Sequence, residues 1–328
     1  MNKPLLTRLL LVIGVPTLYA LFVRYFFGLG SVSELYTVKS VTFLFLMPTV
    51  IGALTVYLSS PEKAASLAYR ILMPWAPVFV FFAATMLLSM EGWICWFMVM
   101  PLFLFTASIG GLIGGYLKKR SNDGKAYASL FALMPFLAAP LESLVEAIPG
   151  TYEAYTCIDI RSTPERIWDN VTRVAEIPQA MDKSRLSRTM GFPRPVKAEL
   201  DFLGVGASRE AVFTNGLVFH ETVTHYEDKR KMVFSIKADP HEIPATAMAE
   251  HIVVGGRFFD VLTGTYELER LEQDKYRLHL YSRFKLTTTF NFYASWWAKW
   301  IMKDIQNNIL QVEKRRAEGL RPGSGRKS

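Results

Sequence analysis

Hydrophobic positions follow two different rhythms along this chain. Before residue 150 they come as long runs, at 5–27, 41–58, 71–88, 93–116 and 127–145. Apolar runs of about 20 residues, wound as helices, match the hydrocarbon thickness of a bilayer. Arg8 and Arg24 lie near the ends of the first run, where long side chains reach the interface. No small-residue cleavage site follows that run, so it reads as an uncleaved span. The fifth run is the weakest, carrying Pro135 and Pro140 and ending near Glu142.

After residue 150 the period shortens. Tyr152 to Arg161 reads as a strand, and Ser162-Thr163-Pro164-Glu165 as a helix start with Ser162 or Thr163 as cap. Ile167, Trp168 and Val171 share one side of that helix, and residues 175–197 read as irregular and basic. Around Thr214-Asn215-Gly216 a three-residue loop pairs Phe213 with Leu217, Ala211 with Phe219 and Arg209 with Glu221. That register puts an arginine and a glutamate on an apolar face, which is costly unless they satisfy each other. A structural ion pair and a polar anchor inside a cavity are both open readings. A four-residue loop near Glu227 to Lys229 then sets Phe234 beside Glu221 and Ile236 beside Phe219. Strands follow at 258–271 and 276–286, the latter alternating Leu278, Leu280, Phe284 and Leu286 with His279, Arg283 and Lys285. The chain then turns helical. Tyr293, Trp296, Trp297, Trp300, Ile301, Ile305, Ile309 and Val312 form one predicted face, and Lys299, Lys303, Gln306 and Lys314 the other.

Charge separates the two halves. Ten Lys/Arg and six Asp/Glu precede residue 151, whereas 27 and 23 follow it, so the first half has the sparse charge of a membrane domain. Lys3 and Arg8, then Lys63 and Arg70, then Lys118, Lys119, Arg120 and Lys125 occupy alternate loops. The positive-inside rule places those loops and the N-terminus in the cytoplasm. Five spans then put the second half on the outer, periplasmic side of a bacterial inner membrane; a fifth run that only lies in the interface would reverse this. Gly110, Gly111, Gly114 and Gly115 offer small-residue surfaces for helix packing or an oligomer.

Chemistry is sparse. Cys95 and Cys157 make no disulfide framework and read as buried thiols. His220, His225, His241, His251 and His279 lack metal-ligand spacing, and no nucleotide or cofactor motif is present. Gly204-Val205-Gly206 has nothing of a dinucleotide fingerprint around it. The basic tail suits anionic lipid headgroups; without an aromatic-basic motif it argues against nucleic acid. No catalytic residue stands out: a cyclase or hydrolase would use Glu221, whose pairing with Arg209 would hold it ionised.

The stretch Ile158-Asp159-Ile160-Arg161-Ser162-Thr163-Pro164-Glu165-Arg166-Ile167-Trp168-Asp169 resembles the opening of START/polyketide-cyclase-like domains (SRPBCC, Bet v 1-like, the helix-grip superfamily). Gly204, Gly206 and Arg209 with Phe219 and Glu221, and the stretch from Asn291 to Ala298 with Asp304, are similar to its membrane-linked bacterial members. The resemblance covers roughly residues 152–318 and implies a curved antiparallel sheet wrapped around the C-terminal helix, often over a hydrophobic cavity. The expected architecture is thus an α-helical membrane bundle of about five spans (1–146), an α+β helix-grip domain (151–318) and a basic flexible tail (319–328). The expected function is binding of a membrane lipid, isoprenoid-like or other hydrophobic small molecule beside the bilayer. Trp168, Phe219, Phe234, Tyr266, Trp297 and Ile301 would line the cavity, with Arg209 and Glu221 orienting a polar head. A cyclase or hydrolase, and a docking module with a filled core, are the competing expectations.

Overall fold

The computed structural model describes residues 7–29, 40–90, 93–119, 124–144, 147–178, 181–182, 184–238, 255–256 and 258–319, apart from the side chains of 124–128 and 215. The chain forms two compact units, Met1–Ala147 and Ile148–Ser328.

The first unit is helical: α1 (Thr7–Phe27), α2 (Thr42–Leu58), α3 (Leu67–Leu87), α4 (Trp93–Lys119) and α5 (Gly124–Ser143). Of these, α1, α3 and α4 are long and apolar enough to cross a membrane; α2 and the stretch Ser129–Ser143 of α5 are shorter apolar helices. Wide π turns at Leu10–Gly14 and Thr42–Leu46 run straight into Val15-Pro16 and Met47-Pro48. A proline has no N–H to give the preceding turn, and a wider turn absorbs the missing bond. In α3 the regular helix breaks at Met73-Pro74.

Glycines set the closest approach in this unit. A Cβ at Gly110 would strike the carbonyl oxygen of Thr49, one at Gly114 that of Ala53, and one at Gly52 that of Ala107. The backbones of α2 and α4 therefore touch, while Gly111 and Gly115 lie against Arg70, and Gly111 also against Pro74. Hydrogen bonds sort the helix ends into two groups. Arg24 donates to Met90 O at 2.9 Å, Phe27 packs on Phe43 and Phe136, and Glu142 accepts from the N–H groups of Val41 and Thr42 at 2.6 and 2.8 Å. At the opposite end Lys118 donates to Tyr57 O at 2.8 Å and to Ser59 O, and Arg70 donates to Ala64 O.

The second unit begins with β1 (Gly150–Arg161) and α6 (Pro164–Thr172), whose N-cap Thr163 accepts from Arg166 N–H. β2 (Pro195–Leu200), β3 (Ser208–Phe213), β4 (Val218–Glu227), β5 (Lys231–Ala238), β6 (Phe259–Glu272) and β7 (Lys275–Leu286) follow, then α7 (Asn291–Ala317). All seven strands form one antiparallel sheet in the order β1-β7-β6-β5-β4-β3-β2. The sheet curls, and α7 meets apolar clusters from both its halves. Leu310 and Ala317 pack with Trp168, Phe234 and Leu278, whereas Val312 packs with Ala198, Ala211 and Phe219. A sheet that reaches two sides of one helix is the helix-grip arrangement.

The β3–β4 hairpin has the expected register, Arg209 opposite Glu221 and Ala211 opposite Phe219. The next register differs. Glu221 faces Ile236, Phe219 faces Ala238, and Phe234 faces Val223. The strands run on to a three-residue turn, with Lys229 at φ 56, and a bulge between Val223 and His225 shifts the ladder by one. The aromatic face predicted for α7 also needs correction. Trp296 and Trp300 are exposed, while Gln306, assigned to the outer face, is buried beside strands that offer it polar partners. Cys157 is exposed rather than buried, because the alternation of β1 turns it away from the core between buried Thr156 and half-buried Ile158. Cys95 is half-buried, and neither cysteine is in a disulfide. The tail from residue 320, together with His241 and His251, lies outside the described residues.

Candidate functional site

Buried charge is the unusual feature of the second unit. Arg209 on β3 and Glu221 on β4 sit opposite each other on the inward face, 3 % and 4 % exposed, and pair through Nη1 and Oε2. The guanidinium lies 5.2 Å from the ring centroid of Phe234, whose ring stands 6.1 Å from that of Tyr266. Trp168 closes the same cluster from α6 and donates its indole N–H to Tyr226 Oη at 3.1 Å. Gly264 makes room for Phe234, since a Cβ there would run into its ring.

The helix above contributes a third charged group that sequence reasoning passed over. Leu310, Glu313 and Ala317 follow at three- and four-residue spacing, so Glu313 shares the face of α7 that enters the apolar cluster. Glu313 is 1 % exposed, and neither carboxylate oxygen has a hydrogen-bond partner; the Nε of Arg209 is likewise buried without one. Burial pushes the Glu313 carboxyl up to about 8, against the pull of Arg316 and Arg209. Burial also raises Glu221, against the opposing pull of Arg209. Burial raises the Tyr266 phenol as well. One basic and two acidic groups thus share an interior otherwise made of aromatic and aliphatic side chains. Glu313 was legible as an acidic residue at an inward position of the heptad from Leu310 to Ala317.

The eight residues expected around a cavity do not all meet. Trp168, Arg209, Glu221, Phe234 and Tyr266 come together. Phe219 belongs to the neighbouring cluster with Val261 and Val312, joined to the first through Ile236. Trp297 and Ile301 are buried, but they lie 12 to 16 residues before Glu313 on α7. At 1.5 Å per residue that is roughly 20 Å along the helix, too far to share one small polar site. Between the two ends, Gln306 donates to Ala154 O at 3.1 Å and Ser282 Oγ at 2.8 Å and accepts from Thr156 Oγ1 at 3.2 Å. That amide is fully engaged in fastening helix to sheet. A groove of about 470 Å³ bordered by Arg161, Arg166, Glu272, Lys275 and Glu318 lies at the turn side of the sheet and includes none of the eight residues. Among the described residues, no group of three or more His, Cys, Asp or Glu could hold a metal ion.

No protein-family model and no curated protein matches this sequence. Solved structures do match about half of the chain. A START superfamily protein from Mycobacterium smegmatis is 10 % identical, with 52 % of this chain and all of that one aligned, at a TM-score of 0.34. A truncated norcoclaurine synthase from Thalictrum flavum is 9 % identical over 51 % of this chain and 95 % of its own, at 0.28. A conserved protein of unknown function from Enterococcus faecalis is 13 % identical over 54 % and 78 %, also at 0.28.

Proposed function

We propose that this chain is a membrane-tethered binding protein whose helix-grip unit takes up an apolar ligand carrying a polar head, of lipid or isoprenoid-like character. The observation that carries the reading is the set Arg209, Glu221, Tyr266 and Glu313, enclosed by Trp168, Phe234, Leu278 and Leu310. A core built only for stability favours apolar residues over a buried ion pair and an acid without hydrogen-bond partners. A pocket for an amphipathic molecule needs a mostly apolar lining with a few placed polar groups.

Tethering is supported by three helices of spanning length and by the pairing of helix ends in the first unit. Glu142, at the end of α5, caps the start of α2, while Lys118 and Arg70 gather at the opposite end. With the basic end in the cytoplasm, α5 crosses as a fifth span and the chain leaves the bilayer on the outer side.

The test is native mass spectrometry of the full chain released from nanodiscs, followed by organic extraction and lipid analysis. A stoichiometric adduct, absent from Phe234→Ala at unchanged secondary structure, is the expected result. An apo mass that persists after incubation with total membrane lipid overturns the reading and favours a docking module with a filled core.

A further inference from the structure

We propose that Glu313 and the Nε–H of Arg209 form a receptor for an uncharged oxygen-bearing head group, a hydroxyl or a carbonyl, on an otherwise apolar ligand. The inference rests on the binding function proposed above and specifies the chemistry of the head.

Two polar groups in this interior lack partners, and they are complementary. Arg209 has spent Nη1 on Glu221 and retains a buried donor at Nε. Glu313 retains both carboxylate oxygens. The two residues sense each other electrostatically yet make neither a hydrogen bond nor an ion pair, so their polar atoms are not in contact. Leaving a buried donor and a buried acid unpaired is unfavourable, and a single oxygen placed between them relieves both. A hydroxyl can accept from Arg209 and exchange a hydrogen bond with Glu313; a carbonyl can accept from both once Glu313 carries its proton.

Charge decides against other heads. The titratable and charged groups that act on Glu313 are Arg209 from β3, Tyr266 from β6, and Arg316 from its own helix. Arg316 spends its guanidinium on the carbonyl oxygens of Ala175 and Glu176. Arg209, the one buried cation among the described residues of this unit, is therefore matched by Glu221, and Glu313 is held protonated near neutral pH by burial. A carboxylate head would bring an anion with no free cation to meet it. An ammonium head would first have to take the proton off Glu313 and lose its own hydration.

Three probes with one isoprenoid tail separate these cases: farnesol, farnesoate and farnesylamine, titrated into the full chain in nanodiscs of neutral lipid at pH 7. Partition into empty nanodiscs is subtracted. Farnesol is expected to bind about tenfold or more tighter than either charged probe. Glu313→Leu should reduce that preference for the alcohol to within about twofold, and Glu313→Gln, which keeps a neutral donor and acceptor, should restore most of it. If farnesol binds and the preference is the same in Glu313→Leu as in the parent, this inference is wrong while the binding function stands. In that event the two orphan groups are served by buried water. Tightest binding of the acid or the amine also overturns it. If no probe binds and lipid extraction finds no adduct, the binding function itself fails, and the head-group assignment with it.

Discussion

Asp304 on α7 holds Ser187 twice: its Oδ2 accepts from the backbone N–H at 2.9 Å and from the hydroxyl at 2.6 Å. Ser187 lies in the irregular stretch between α6 and β2, in the short turn Leu186–Thr189. One carboxylate oxygen therefore ties a segment without strand partners to the central helix. Hydrogen bonds to a charged acceptor contribute about 1.5–3 kcal/mol. Asp304→Ala should lower the stability of the second unit by about 2 kcal/mol and Asp304→Asn by less, measured by urea unfolding of the full chain followed by tryptophan fluorescence. Equal effects of the two substitutions would mean that charge contributes nothing at this contact.

Arg209 and Glu221 should behave as a unit. Removing one partner of a buried pair leaves an uncompensated charge and costs about 3–5 kcal/mol, while replacing both with apolar residues is near neutral. Glu221→Leu and Arg209→Met should each destabilise strongly, and the double variant should recover most of the loss. A double-mutant cycle by chemical denaturation measures this directly. The double variant should also bind ligand more weakly, since Arg209 is no longer there to hold the polar head.

Stability should fall as pH rises through the window set by Glu313. Its folded carboxyl is raised to about 8 from an ordinary value of 4.5. Between these values the unfolded chain has released its proton and the folded chain still holds it. The folded state therefore loses relative stability across that window and levels off above about 8. Glu313→Gln should flatten the slope between pH 5 and pH 8 relative to the parent, a change of a few kcal/mol in order of magnitude. Asp182 acts in the opposite sense. Burial raises its carboxyl, but hydrogen bonds from Ser184, Arg194 and Arg188 lower it overall, so its contribution is lost only as pH falls into the acid range.

Close backbone contact makes Gly110 intolerant of even one methyl group. A Cβ there meets the Thr49 carbonyl, with rigid helix on both sides. Gly110→Ala should cost about 1–3 kcal/mol through overpacking, seen as a lower melting temperature of the detergent-solubilised protein. Gly14, where a Cβ would find open space, is the control and should tolerate alanine.

The pairing of Glu142 with Val41 and Thr42 predicts where the second unit faces. With Cys95 and Cys157 replaced by serine, Lys303→Cys on the exposed side of α7 should react with a membrane-impermeant maleimide in intact spheroplasts. Ser66→Cys, near the basic end of the first unit, should react only after lysis. Reaction of both cysteines only after lysis would mean that α5 does not cross.

Much of the architecture was legible in one dimension because it rests on short-range periodicity. The strands, a helix cap at Ser162 or Thr163, the β3–β4 hairpin and the length of α7 all follow from spacing and from turn chemistry in the sequence. The β4–β5 register was not, since the strands run on to a turn at residues 228–230, later than the expected loop, and the bulge at Thr224 takes back only one residue of that shift. Three- and four-residue spacing puts Trp296 and Trp300 on the same predicted face as Trp297 and Ile301. The sheet leaves that side of the helix open, so they stay in solvent.

What the sequence determined by itself is the division into an apolar helical half and a strand-rich half ending in a long helix. It also set Arg209 against Glu221, because a hairpin register depends only on its loop. Tertiary structure alone decided that Gln306 fastens α7 to β1 and β7, that Trp297 and Ile301 lie far from the ion pair, and that Glu313 is buried within reach of its field. A helix buried from two sides has no single apolar stripe, so its inward positions are chosen by the curl of the sheet, which is a property of strands distant in the chain.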